Sequence, residues 1–220
     1  MKLEQFETDV LKNFTVINQS ILFREGNIVK TMSPNKTLEA RAVFETSFDR
    51  EFAIYDLKNF LSVLSLFDDP DIELEEDYAI IKENNRSVVY NYADPDTIMA
   101  APKEDFDVNE VALKFRLTEE QTREIARAGG VLRSPEICIE VADGTLKVKT
   151  LDSENDSYNE YNIDIEEFEN DGDLKIFMRM EYYKLLEMPY EVTVYRDGDV
   201  VRFQNRKVEY WIPVEDNSTL

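Results

Sequence analysis

Tyr92-Ala-Asp-Pro-Asp-Thr-Ile-Met-Ala-Ala-Pro-Lys-Glu-Asp-Phe-Asp-Val-Asn-Glu110 has neither the helical nor the strand period and contains Pro95 and Pro102. It reads as a linker between two folded halves. The domains that follow are 1–92 and 111–220, joined by 93–110. On each side the chain follows the same plan twice: a short helix followed by a run of strands.

Upstream of the linker, Val10, Leu11, Phe14 and Ile17 fall on one helical stripe and predict a helix over 8–18. Segments 20–24 and 27–32 flank Glu25-Gly26 and read as a hairpin, with a third strand over 38–44. After the alternating segment 48–55, Asp56 stands as N-cap before Leu57, Phe60, Leu61 and Leu64, and Asp68-Asp69-Pro70 stops that helix. Strands are expected at 72–74, 78–82 and 87–92.

Downstream, a strand over 111–117 leads to Thr118-Glu-Glu-Gln121, a capping box opening a helix to about Ala128, where Gly129-Gly130 should end it. Segments 136–141 and 145–151 close across Asp143-Gly144, and a strand over 158–165 follows. The last unit has a strand over 174–180 and a helix over 181–187 stopped by Pro189. Strands at 190–195, 200–204 and 208–213 complete it, and the polar tail 215–220 should fray. Helix starts near 8, 56, 118 and 181 make the pattern a four-fold repeat.

Composition narrows the function. The net charge is -22, and the acidity is even, with 11 Lys/Arg against 23 Asp/Glu up to Glu110 and 14 against 24 beyond it. A conventional basic nucleic-acid binder fits this balance poorly. The absence of histidine removes the commonest general base and metal ligand, and no glycine motif forms a phosphate cradle. Asp68-Asp69-Pro70-Asp71 and the segment 152–156 offer carboxylates to a hard cation, but both fall in turns where Asp is favoured anyway. No metal, cofactor or enzymatic chemistry is therefore expected. Cys138, alone in an apolar alternation, reads as a packed core thiol in a reducing compartment. No segment approaches the roughly 18 apolar residues of a spanning helix, so a soluble protein without a membrane partner is expected.

Met1-Lys-Leu3, Leu11-Lys-Asn-Phe14 with Ile17-Asn18, Ala53-Ile-Tyr-Asp-Leu57 with Phe60-Leu61 and Leu64-Ser-Leu66, and Ala93-Asp-Pro95 with Ala101-Pro102 resemble the DNA sliding clamps of T-even-type bacteriophages. The likeness is residue by residue in the first half and by pattern in the second. It implies an α+β DNA clamp fold of two similar domains, each with two helices backed by antiparallel sheets. A homotrimeric ring would have the helices lining its hole. The implied function is processivity factor for the phage DNA polymerase, placed on duplex DNA by an ATP-dependent clamp loader in the cytoplasm of the infected host, with a further role in late transcription.

Within that picture, Lys12, Lys58, Arg123, Arg127 and Lys184 lie on the polar sides of the predicted helices and are the candidate DNA-facing cations. The same positions suit ordinary solvated sites, and Glu119, Glu120 and Glu124 share the third helix. By resemblance, the strand 87–92 would meet the strand 158–163 of a neighbouring copy, with Tyr90 and Tyr158 at the joint or else within their own domains. Ile98 and Met99 are the candidate pocket for a partner peptide, or the residues that pin the linker to the core. An acidic DNA mimic and a carboxylate-metal nuclease are the alternative classes.

Overall fold

The structure is a computed structural model that describes every residue except Asp105, Asp156, Asp171 and Leu220. The linker, the loop 152–156 and the tail therefore each fall partly outside the described residues. The chain divides into two compact units, Met1–Glu104 and Asp105–Leu220.

In the first unit, helix α1 spans Gln5–Phe14 and buries Val10, Leu11 and Phe14. It starts three residues before the expected Thr8 because Glu7 has a structural task. Glu7 is 1% exposed, and its carboxylate accepts from Thr46 N at 2.8 Å, the Thr46 hydroxyl at 2.7 Å and Glu4 N at 2.9 Å. A carboxylate buried without donors would cost several kcal/mol, roughly, so this bond set fixes both the helix start and its attachment to the sheet. The helix ends at Phe14 and not at Asn18. Asn18 instead donates to the carbonyls of Met32 and Met99 while its Oδ1 receives Ser20 N.

The strands of this unit are β1 (Ile21–Phe23), β2 (Gly26–Met32), β3 (Glu39–Phe48) and β4 (Phe52–Ile54). The expected hairpin across Glu25-Gly26 does not form. Gly26 does take a positive φ of 105°, but β1 pairs with β4, placing Phe23 opposite Phe52 with stacked rings 4.7 Å apart. Every residue of β1 and β4 is buried, and pairing them with each other satisfies two apolar ribbons at once. β2 pairs with β3 instead.

Helix α2 (Leu57–Leu64) follows the sequence closely: Asp56 accepts from Asn59 N at 2.9 Å, and Leu57, Phe60, Leu61 and Leu64 are buried. Strands β5 (Asp71–Leu74), β6 (Tyr78–Glu83) and β7 (Arg86–Asn91) form a sheet in that order. Met1 continues it beyond β5: its amine donates to Ile72 O at 2.7 Å and its carbonyl accepts from Ile72 N at 2.8 Å.

In the second unit β8 (Val111–Leu117) leads to α3 (Glu119–Leu132), opened by the reciprocal Thr118–Gln121 capping box. The helix runs through Gly129-Gly130 and stops at Arg133, whose φ is 57°. Tertiary packing explains this: a Cβ on Gly129 would lie 1.6 Å from Met180 Cε, so the glycine makes room for that side chain. Gly130 faces open space.

Strands β9 (Glu136–Ala142) and β10 (Thr145–Leu151) turn at Asp143-Gly144, both at positive φ, as a two-residue hairpin requires. β11 (Tyr161–Ile165), β12 (Phe168–Asn170) and β13 (Leu174–Arg179) follow, then β14 (Tyr190–Tyr195), β15 (Val200–Gln204) and β16 (Val208–Pro213). One sheet has the order β11-β10-β9-β13, while β12-β8-β14-β15-β16 run side by side in another.

The helix expected over 181–187 is reduced to a single 3-10 turn, Met180–Tyr182. Its backbone is bonded by tyrosines in place of helical neighbours, since Leu186 N donates to the Tyr210 oxygen and Tyr190 donates to Leu186 O. The second unit thus presents one α-helix among its described residues where two were expected.

The linker has no body of its own. Residues 93–104 lie on the first unit, and Phe106 stacks on Trp211 at 4.7 Å in the second. Val108 packs against Tyr195, Val200 and Trp211, and the Asp197 carboxylate accepts from Asn109 N at 2.7 Å and Glu110 N at 3.1 Å.

Two outcomes are expected. Gly130→Ala should stabilise the chain by about 0.5–1 kcal/mol, because the exposed helical glycine has open space for a methyl, read as a raised urea midpoint. Gly129→Ala should lack that gain. The Asn109 amide holds the Asp197 carboxyl below its ordinary range, with Glu110 N adding to the effect. Its contribution is present above the unfolded pKa of about 4 and is lost as pH falls through the depressed folded value. Asp197→Ala should speed amide exchange at Asn109 and Glu110 several-fold at neutral pH, with a smaller difference in acid.

Candidate functional site

The helices carry a small share of the chain's charge. Together α1, α2 and α3 hold Glu7, Asp9, Glu119, Glu120 and Glu124 against Lys12, Lys58, Arg123 and Arg127, a balance of -1 within a total of -22. Glu7 is buried, which leaves four exposed or half-buried acids against four cations. The acidity therefore resides on strands and loops.

Lys12 is exposed and pairs with Asp9 at 3.1 Å, a surface contact that competes little with another anion. Lys58, Arg123 and Arg127 are exposed and form no ion pair among the described residues. On α2 there is no acid at all, and Lys58 sits in its first turn. Lys184 differs from the expectation. It is half-buried, lies beyond the 3-10 turn instead of on a helix, and its backbone N–H donates to Tyr182 O at 2.8 Å.

The two sheets each end in an open strand. β7 has only β6 beside it, and β11 only β10. These are the strands expected to meet between copies, with β11 beginning at Tyr161 and not at Tyr158. The two joint aromatics are used locally. Tyr90 meets Phe60 edge to face at 5.1 Å and donates to Asp56 O at 3.3 Å, and its burial raises the phenol pKa. Tyr158 lies in the turn before β11 and donates to Leu132 O at the end of α3.

Other side chains are exposed at these edges. Val89 on β7 is 57% exposed, and Leu66 is 60% exposed with its carbonyl bonded by Arg86 at the start of β7. Val131, 74% exposed, occupies the last turn of α3, and Ile163 is half-buried on β11. The sequence signal for Val131 was an apolar residue off the helix's buried stripe. For Val89 it was a second valine in a run where one face should be polar.

The strap 93–104 is held along its length in the first unit. Ala93 N donates to Ala53 O at 2.9 Å, Asn18 Nδ2 to Met99 O at 3.1 Å, and Arg24 Nη2 to Ala101 O at 2.8 Å. Lys30 and Glu39, each 6% exposed at the side chain, lie 3.7 Å apart, and Lys30 Nζ also donates to the carbonyls of Lys103 and Glu104. Ile98 is half-buried and Met99 is 40% exposed, so this pair serves the strap while leaving some apolar surface outward. The grooves of about 840, 540 and 450 Å³ in the second unit are lined by other residues.

Burial pushes the Cys138 thiol up to about 12, so it stays protonated and inert. Among the described residues no three His, Cys, Asp or Glu side chains gather to hold a metal ion. Asp69 is paired with Lys2, and Asp152 accepts from Glu154 N as a turn residue does.

The family model for DNA polymerase processivity factors matches residues 2–100. The sliding clamp of Vibrio phage KVP40 is 27% identical over 220 residues, covering 98% of this chain and 99% of the relative. The sliding clamp of Escherichia phage RB69 is 28% identical over 225 residues, covering 100% and 99%. Among solved structures, the A. fulgidus PCNA bound to the C-terminal region of FEN-1 superposes with a TM-score of 0.72 over 100% of both chains, at 14% identity, a likeness of fold. End to end, the chain is similar to the sliding clamps of phages KVP40 and RB69, and over residues 2–100 it matches the DNA polymerase processivity factors.

Proposed function

We propose that this chain is the sliding clamp that encircles duplex DNA and tethers a phage replicative polymerase for processive synthesis. The observation that carries the reading is the end-to-end match to phage sliding clamps. Charge partition supports it physically. A protein held on DNA by topology needs little affinity, and a helix surface with as many cations as acids, on which Lys58, Arg123 and Arg127 form no ion pair among the described residues, tolerates a phosphate backbone that the rest of the chain repels. The acidic DNA-mimic alternative draws no support from these relatives.

In the proposed assembly β7 of one copy adds to β11 of the next, a head-to-tail contact that closes a ring when its rotation permits, here a homotrimer. Val89 and Leu66 on one side and Val131 and Ile163 on the other supply apolar surface for that joint. Tyr90 and Tyr158 act behind it, fixing α2 to β7 and α3 to the turn before β11. An ATP-dependent loader would open the ring on DNA in the cytoplasm of the infected host. The outward part of Ile98 and Met99 is a docking position for a partner's apolar peptide, in replication and in late transcription.

Light scattering over a concentration series should give a mass three times that of the chain, and a monomer at every concentration would refute the ring. Val89→Asp should move the plateau to higher concentration without loss of folded signal. Lys12→Glu with Lys58→Glu should lower polymerase stimulation on primed circular templates by about thirtyfold at moderate salt, two close contacts each worth about 1 kcal/mol; unchanged stimulation would remove both residues from the DNA-facing surface.

A further inference from the structure

Among the described residues, up to Thr219, the tail does not fray. Residues 215–219 lie along β13, the strand at the opposite end of its sheet from β11. Strand β13 uses Leu174, Ile176 and Met178 toward the core and leaves the backbone of Lys175 and Phe177 on its outer edge. All four of those polar groups are satisfied by the tail. Lys175 N donates to Thr219 O at 2.8 Å and Lys175 O receives Thr219 N at 2.7 Å. Phe177 N donates to the Ser218 hydroxyl at 2.8 Å, and Phe177 O receives Glu215 N at 2.8 Å. Side chains hold the tail in place: Glu215 pairs with Arg179 at 3.1 Å, and Asn217 donates to Ser153 Oγ at 3.3 Å.

We infer that residues 215–219 are an edge cap, a built-in occupant of the β13 edge that keeps a second copy of this chain from pairing there. An open strand edge is a template for any compatible strand, including the β11 or β7 edge of another copy. The tail closes that template without creating a new one, because a serine hydroxyl replaces a backbone carbonyl at Phe177 and breaks the regular ladder. Met1 does the same at Ile72 of β5 in the first unit. Each of these two sheets is then left with one open edge, β7 or β11.

The inference rests on the ring reading only for the size of the normal assembly. The test compares the full chain with a chain ending at Val214, and with a full-length Ser218→Ala, Thr219→Pro variant that lacks the hydroxyl and the N–H facing β13. Light scattering is followed over a wide concentration series, with circular dichroism as the check on folding. The expected result is a weight-average mass that keeps rising past the full chain's plateau, by about twofold or more, as open edges propagate. Mass curves that superpose on the full chain's, in a folded variant, overturn the cap. Should the truncated chain not fold, the full-length double variant decides. A full chain that is monomeric throughout refutes the ring alone, since uncapping would still turn monomer into oligomer if the cap is real.

Discussion

Backbone N–H and C=O groups at the edge of a sheet must meet a partner or water, and the plan of this chain follows from where those partners come from. β1 and β4, buried on both faces, take each other and so override the local turn at Glu25-Gly26. Met1 closes β5 and the tail closes β13. In the sheets that hold β5 and β13, β7 and β11 are left as the open ends. A subunit that presents one open edge in each of these two sheets is suited to head-to-tail closure.

Electrostatics adds a second constraint. A chain at -22 cannot approach a polyanion through its average surface, so its helices carry a nearly balanced set of charges and its strands and loops take the acid. Even the buried charges are put to structural use. Glu7 binds α1 to β3 through Thr46, and Lys30, with Glu39 beside it, draws the carbonyls of residues 103 and 104 down onto the first unit. A buried cation left without those oxygens would be strongly destabilising, so the segment that looked like a free linker is a strap fixed at its far end.

Much of this was legible from the residues. Asp56 with Leu57, Phe60, Leu61 and Leu64 specified α2, and Thr118 with Gln121 specified the start of α3, because capping and apolar period are local signals. Lys58, Arg123 and Arg127 emerged as exposed helical cations for the same reason. Lys184 did not, since Tyr190 and Tyr210 bind the backbone of Leu186 and leave no helix to carry it. Tyr90 lies on β7 and Tyr158 in the turn before β11, and both hydroxyls are held within their own units. Of the exposed apolar residues near them, Val89 and Val131 carried a faint signal in the pattern, and Leu66 was recognised from its exposure.

The sequence by itself determined the elements that depend on neighbours three or four residues away: capped helices, alternating strands, the Asp143-Gly144 turn and the two-part division around residues 93–110. Tertiary structure decided everything that depends on a distant partner. It set β1 against β4, carried α3 through Gly129 by packing Met180 against it, and bound strap and tail to the sheets. Those outcomes turn on which distant atoms satisfy a buried group, and spacing along the chain does not record that.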